Sequence, residues 1–180
     1  MKILIAEDEP VISMQYQIVL EERGHEVTIT SNGEECMNKY RSALGLAVAA
    51  DENDEPFLNQ ECLPFDVVIL DYRMPKKDGL AAAIEILELC PSQRIMFASA
   101  YTAETLVEAV KNLHRVVELL HKPFDLEYFV DAVEDKALYE QLERLNVRVR
   151  ELKEHNITHS QLVDLLKGAK KLQDLVLYSA

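Results

Sequence analysis

Residues 69–79 read ILDYRMPKKDG. An apolar run of strand length, beginning at Phe65, stops on Asp71, and a Met74-Pro75 step and an Asp78-Gly79 turn follow at once. Why a buried strand should end on a carboxylate depends on what the other strand ends carry.

Four further runs have strand length: KILIA (2–6), HEVTIT (25–30), RIMFAS (94–99) and VVELL (116–120), alongside FDVVIL (65–70). Segments with helical spacing lie between them. VISMQYQIVLEER carries apolar residues at Val11, Ile12, Met14, Ile18 and Val19, and suits a helix begun near Pro10 and ended by Gly24. A second helix starts near Asn32. LAAAIEILEL (80–89) and TAETLVEAVKNL (102–113) behave alike, the latter with Thr102 as N-cap, and Asp125 is placed to cap LEYFVDAVEDKAL. Five strands alternating with helices predict an α/β domain whose parallel sheet is covered on both faces.

Two stretches break that rhythm. A helix-to-strand connection needs only a few residues, so residues 42–63 read as an insertion, its apolar half able to extend the preceding helix and its DENDEP (51–56) an exposed acidic loop. Beyond the domain at 1–136, residues 137–180 read as a helical extension. Leu138, Leu142, Leu145, Val149 and Leu152 form a seam on a continued helix, and Leu162, Leu165, Ala169, Leu172 and Val176 repeat the spacing after a polar break at HNITHS. The pattern suits a helical hairpin within one chain or a coiled coil in a homodimer. His155 and His159, four apart without a third ligand nearby, read as polar residues at the break rather than as metal ligands.

The formal charge is -13, which argues against nucleic acid or an anionic membrane surface as a partner. Beyond residue 136 seven basic residues meet six acidic ones, so the tail is +1 and the first 136 residues carry -14. Cys36, Cys62 and Cys90 are odd in number and widely spaced, as reduced thiols in a cytoplasmic protein would be. The opening MKILIAEDEP turns acidic too soon for a signal peptide, and no run reaches membrane-spanning length.

The strand ends carry the chemistry. The first ends on Glu7 and Asp8, the third on Asp71, the fourth on Ser99 and the fifth on Lys122. Open parallel sheets bind ligands at the carboxyl ends of their strands, so these groups should meet. Three clustered carboxylates need a cation. Mg2+ suits them, being hard, oxygen-seeking and held by one or two carboxylates plus a phosphate. Asp71, the single acid at its strand end and backed by a stiff turn, is then the candidate nucleophile towards phosphorus, with Lys122 and Ser99 steadying the phosphoryl oxygens.

EDEP (7–10), LDYRMPKKDG (70–79), SAY (99–101) and KPF (122–124) resemble, in order and spacing, the receiver domain of two-component response regulators. The resemblance runs from Met1 to about Lys136 apart from the insertion. It implies a flavodoxin-like, doubly wound five-stranded sheet of order 2-1-3-4-5. It further implies phosphorylation of Asp71 by a sensor histidine kinase or phosphotransfer protein, with output through a downstream protein partner. Glu7, Asp8, Asp71 and the Arg73 carbonyl would hold Mg2+, Ser99 and Lys122 would relay the change, and Lys122-Pro123 would be a cis bond. The family usually has an aromatic residue three positions before the lysine; Leu119 stands there instead, leaving Tyr101 as the substitute in the switch. A bulky Arg73 and Tyr101 pair implies a long-lived phosphoryl group. The chain is thus expected to be a phosphoacceptor rather than an enzyme. The rival readings are an unphosphorylated pseudo-receiver acting as an interaction module, and a phosphotransfer enzyme, which would need an acid where Arg73 stands.

Overall fold

The structure, a computed structural model, describes residues 1–50, 63–100, 118–145, 147, 157 and 159–177. DENDEP, Cys62, Tyr101, the helix expected at 102–113, Val149, Leu152 and His155 lie outside the described residues. The chain divides into two compact units, Met1–Leu126 and Glu127–Ala180.

In the first unit, β1 (Lys2–Ala6), β2 (Glu26–Thr30), β3 (Val67–Leu70), β4 (Ile95–Ser99) and β5 (Glu118–His121) form one parallel sheet of order β2-β1-β3-β4-β5. This is the flavodoxin-like order that the resemblance implied. Helices α1 (Pro10–Glu21), α2 (Gly33–Ala50) and α3 (Gly79–Leu89) alternate with the strands. Pro10 opens α1, where its missing N–H costs nothing. Gly24 follows its end in the left-handed region, at φ 80°. At the start of α2 the Asn32 Oδ1 accepts from the N–H groups of Glu34 and Glu35 at 3.1 and 3.0 Å, while Glu35 Oε2 accepts from the Ser31 N–H at 3.1 Å. The helix then runs on to Ala50, into the stretch read as an insertion.

β3 and β4 are buried at every position, as central strands of a two-faced sheet must be. Val68, Leu70, Ile95 and Phe97, on one face of these strands, join Leu4, Met37, Tyr40, Ala82, Ala83 and Ile86 in one core. A polar bridge crosses it: the Tyr40 hydroxyl donates to Gln93 Oε1, and Gln93 Nε2 donates to the Phe65 carbonyl, both at 2.9 Å. Arg94 makes a two-pronged contact with Glu118, at 2.7 and 2.9 Å, across the entry of β4 and β5.

The second unit differs from expectation. The helix thought to run unbroken through Leu138 is interrupted: α4 (Leu126–Val133) stops, Asp135 turns left-handed at φ 59°, and α5 (Lys136–Arg144) begins anew. A heptad count registers leucine spacing but cannot see one backbone reversal between two leucines. The two seams meet within the chain, Leu142 of α5 packing with Leu162 and Leu166 of α6 (His159–Leu177). Leu165, expected in the seam, is exposed, because the stripe follows the four-residue row through Leu162 and Leu166. No helix among the described residues is long and apolar enough to cross a membrane, and Cys36 and Cys90 are free thiols.

Removing the Tyr40 hydroxyl would leave the buried Gln93 Oε1 without that donor. Tyr40→Phe should therefore lower stability by about 1–3 kcal/mol, read as a lower urea midpoint at unchanged slope. An unchanged midpoint would show that the bridge contributes nothing.

Candidate functional site

The register of the sheet lines up its strand ends. Ala6 pairs with Thr30 on one side and Leu70 on the other; Leu70 pairs with Phe97, and Phe97 with Leu119. The row Thr30–Ala6–Leu70–Phe97–Leu119 therefore crosses all five strands. Glu7 and Asp71 each stand one residue beyond it, Asp8 and Ser99 two, and Lys122 three. Ladder bonds continue past the row: the Glu7 N–H donates to the Thr30 carbonyl at 3.0 Å, the Asp71 N–H to Ala6 at 2.9 Å and the Lys122 N–H to Ser99 at 2.8 Å. Residues more than a hundred positions apart are thereby fixed by backbone before any side chain acts.

The side chains then close on one another. Lys122 Nζ donates to Glu7 Oε2 at 2.6 Å and to Asp71 Oδ2 at 2.9 Å. The other Asp71 oxygen, Oδ1, accepts from the Arg73 N–H at 3.2 Å. Glu7, Asp8 and Asp71 each offer a carboxylate oxygen within 4.8 Å of the others. Glu7 is buried, Asp71 half-buried and Asp8 exposed, so the cluster opens to solvent on the Asp8 side.

The electrostatics are unbalanced. At 4.8 Å and an effective dielectric near 20, each like-charged pair costs about 3.5 kcal/mol. Among the described residues, three carboxylates meet one ammonium in this cluster, a formal excess of two negative charges. Burial pushes the Glu7 carboxyl above its ordinary value, and the hydrogen bond from Lys122 does not fully reverse that. Burial alone would lower the Lys122 pKa, but bonds to Glu7 and Asp71 more than offset it and hold the ammonium above its ordinary value. The lysine is thus held charged, and it is shared between Glu7 and Asp71. An all-oxygen donor set short by two positive charges fits Mg2+.

The turn that follows Asp71 was underrated by sequence reasoning. Asp78, read as plain turn chemistry, caps α3, its Oδ1 accepting from the Ala81 N–H at 2.7 Å. Gly79 donates its N–H to the Tyr72 carbonyl at 3.0 Å, and a Cβ there would lie 2.0 Å from the Asp71 carbonyl oxygen. Only glycine lets the helix start so close behind the acid, and the Asp-Gly pair was the signal. Met74 anchors the same turn in the core. Ser99 is fully buried at the end of β4, and Leu119 is half-buried against the core. Arg73 is exposed. The Lys122-Pro123 bond is cis.

Gly79→Ala forces a methyl group against the Asp71 backbone. It should lower stability by about 1–3 kcal/mol and shift the Asp71 amide resonance, whereas Gly168→Ala, in open space, should do neither. A wild-type Asp71 resonance in Gly79→Ala would contradict the close approach.

Comparison with known proteins agrees with this geometry. The sequence pattern of the response regulator receiver domain matches residues 3–134. The transcriptional regulatory protein PdtaR of Mycobacterium tuberculosis is 30% identical over 171 residues, covering 93% of this chain and 71% of PdtaR. Among solved structures, the chemotaxis protein CheY4 of Vibrio cholerae superposes with a TM-score of 0.59 at 20% identity, over 74% of this chain and 96% of its own. The response regulator TrrA of Thermotoga maritima, solved in complex with Mg(2+)-BeF, does so with a TM-score of 0.56 at 26% identity, over 74% and 96%. The chain belongs to the response regulator receiver domain family of two-component signalling.

Proposed function

We propose that the chain is a phosphoacceptor response regulator, taking a phosphoryl group on Asp71 from a sensor histidine kinase or phosphotransfer protein. The observation that carries the reading is Lys122 Nζ bridging Glu7 and Asp71 beside Asp8, a site that lacks two positive charges. Glu7, Asp8, Asp71 and the Arg73 carbonyl are the groups that would hold Mg2+, and TrrA, with its Mg(2+)-BeF, supports that assignment. When bound, the ion supplies positive charge for the incoming phosphoryl oxygens.

The chain's own groups have separate tasks. Asp71 attacks phosphorus through a carboxylate oxygen, forming the O–P bond as the donor's phosphohistidine P–N bond breaks and its imidazole leaves, taking up a proton. Lys122 holds charge on the phosphoryl group, and the Ser99 hydroxyl donates to it as part of the switch with Tyr101 and Leu119. Arg73 stands where a phosphoester hydrolase would need a second acid, so the domain acts as a carrier of signal rather than as an enzyme. Output then runs through the helical extension, by contact with a downstream protein or by dimerisation in the cytoplasm. The name of PdtaR, which aligns over much of the extension as well, is compatible with an output on transcription through such a partner.

Treatment of the full chain with a small acyl phosphate should add the mass of one phosphoryl group in the presence of Mg2+. It should add none after chelation and none in Asp71→Asn. An unmodified wild type would favour the pseudo-receiver, and a modified Asp71→Asn would move the acceptor elsewhere.

A further inference from the structure

Lys122 has a long side chain and must be aimed. One side of its turn is held by backbone, through the Lys122 N–H on the Ser99 carbonyl at 2.8 Å. The other side carries Phe124, whose ring stacks on Tyr16 with centroids 5.9 Å apart and planes 20° from parallel. Tyr16 is buried, on the helix that starts directly behind Glu7 and Asp8. Burial pushes its hydroxyl up to about 12, so the ring is neutral throughout the physiological range. The charges that act on it are those of Lys122, Glu7, Asp71 and Glu9, members and a neighbour of the phosphoacceptor cluster.

Glu7 and Asp8 come from one end of the unit and the lysine from the other, with Glu7 and Lys122 115 positions apart. The Tyr16–Phe124 stack is a second, apolar fastening between the same two segments. An offset pair of this kind contributes about 0.5–1.5 kcal/mol beyond its burial. That is enough to decide where a three-residue turn settles, and a misplacement of about 1 Å at a reacting group can cost on the order of a hundredfold in rate.

We propose that Tyr16 is a positioning residue for Lys122: stacked on Phe124, it holds the turn so that Nζ reaches Glu7 and Asp71 together. This rests on the reading of Asp71 as phosphoacceptor for its kinetic consequence, but not for its structural one. Nothing in the one-dimensional pattern marks Tyr16, which occupies an ordinary inward position of an amphipathic helix.

Two readouts on the full chain separate these consequences. In nuclear magnetic resonance, the Nζ protons of a lysine clamped by two carboxylates exchange slowly with water and are visible. The Lys122 signal should persist in Tyr16→Phe, which keeps the stack, and disappear in Tyr16→Leu. The rate of labelling by a small acyl phosphate should stay within about twofold in Tyr16→Phe and fall on the order of tenfold or more in Tyr16→Leu. Phe124→Leu removes the same stack from its half-buried partner and should match Tyr16→Leu, which keeps the question decidable if Tyr16→Leu fails to fold. A wild-type Lys122 signal in the leucine variants, or an equal loss in Tyr16→Phe, would overturn the proposal. A wild type that takes no phosphoryl group would defeat the reading of Asp71, while the Lys122 signal would still decide the role of the stack.

Discussion

One ammonium between two carboxylates organises this site. Lys122 Nζ lies 2.6 Å from Glu7 and 2.9 Å from Asp71, and the sheet's register brings the three segments that carry them together. Carboxylates this close repel, and the desolvation of Glu7 adds to the cost. The lysine relieves part of that repulsion and leaves a deficit that a divalent cation would meet. The fold holds the imbalance in a rigid frame of ladder hydrogen bonds, so that a divalent cation bound there would relieve repulsion already present instead of creating new order.

The architecture explains why the arrangement is dependable. A single cross-strand row runs through all five strands near their carboxyl ends, and each site residue is one to three positions past it. The turn behind Asp71 is pinned by Met74 in the core, by the Asp78 cap and by the absence of a side chain on Gly79. Reactive groups sit on loops, but each loop is less than a helical turn from fixed backbone.

Much of this was legible in the sequence because it was written in residue types. Acids, a hydroxyl and a lysine at successive strand ends are chemically conspicuous, and apolar runs of strand length predicted the strands to within two residues at their described ends. What stayed hidden depends on pairing across distance or on one dihedral. The bridge from Tyr40 through Gln93 to Phe65, the clasp of Arg94 on Glu118 and the stack of Tyr16 on Phe124 join residues far apart in the chain. Asp135 separates the helix Leu126–Val133 from the leucine seam that begins at Leu138 by adopting a left-handed conformation that no periodicity can register. The same limit explains Leu165, whose exposure follows from which face α6 turns to α5.

The central claim is the unmet charge beside Asp71, and a calorimetric titration with Mg2+ alone tests it most directly. The account predicts one ion bound per chain, with affinity lost in Asp8→Asn, whose exposed carboxylate guards the solvent side of the cluster. Absence of binding in the wild type, or undiminished binding in Asp8→Asn, would contradict it.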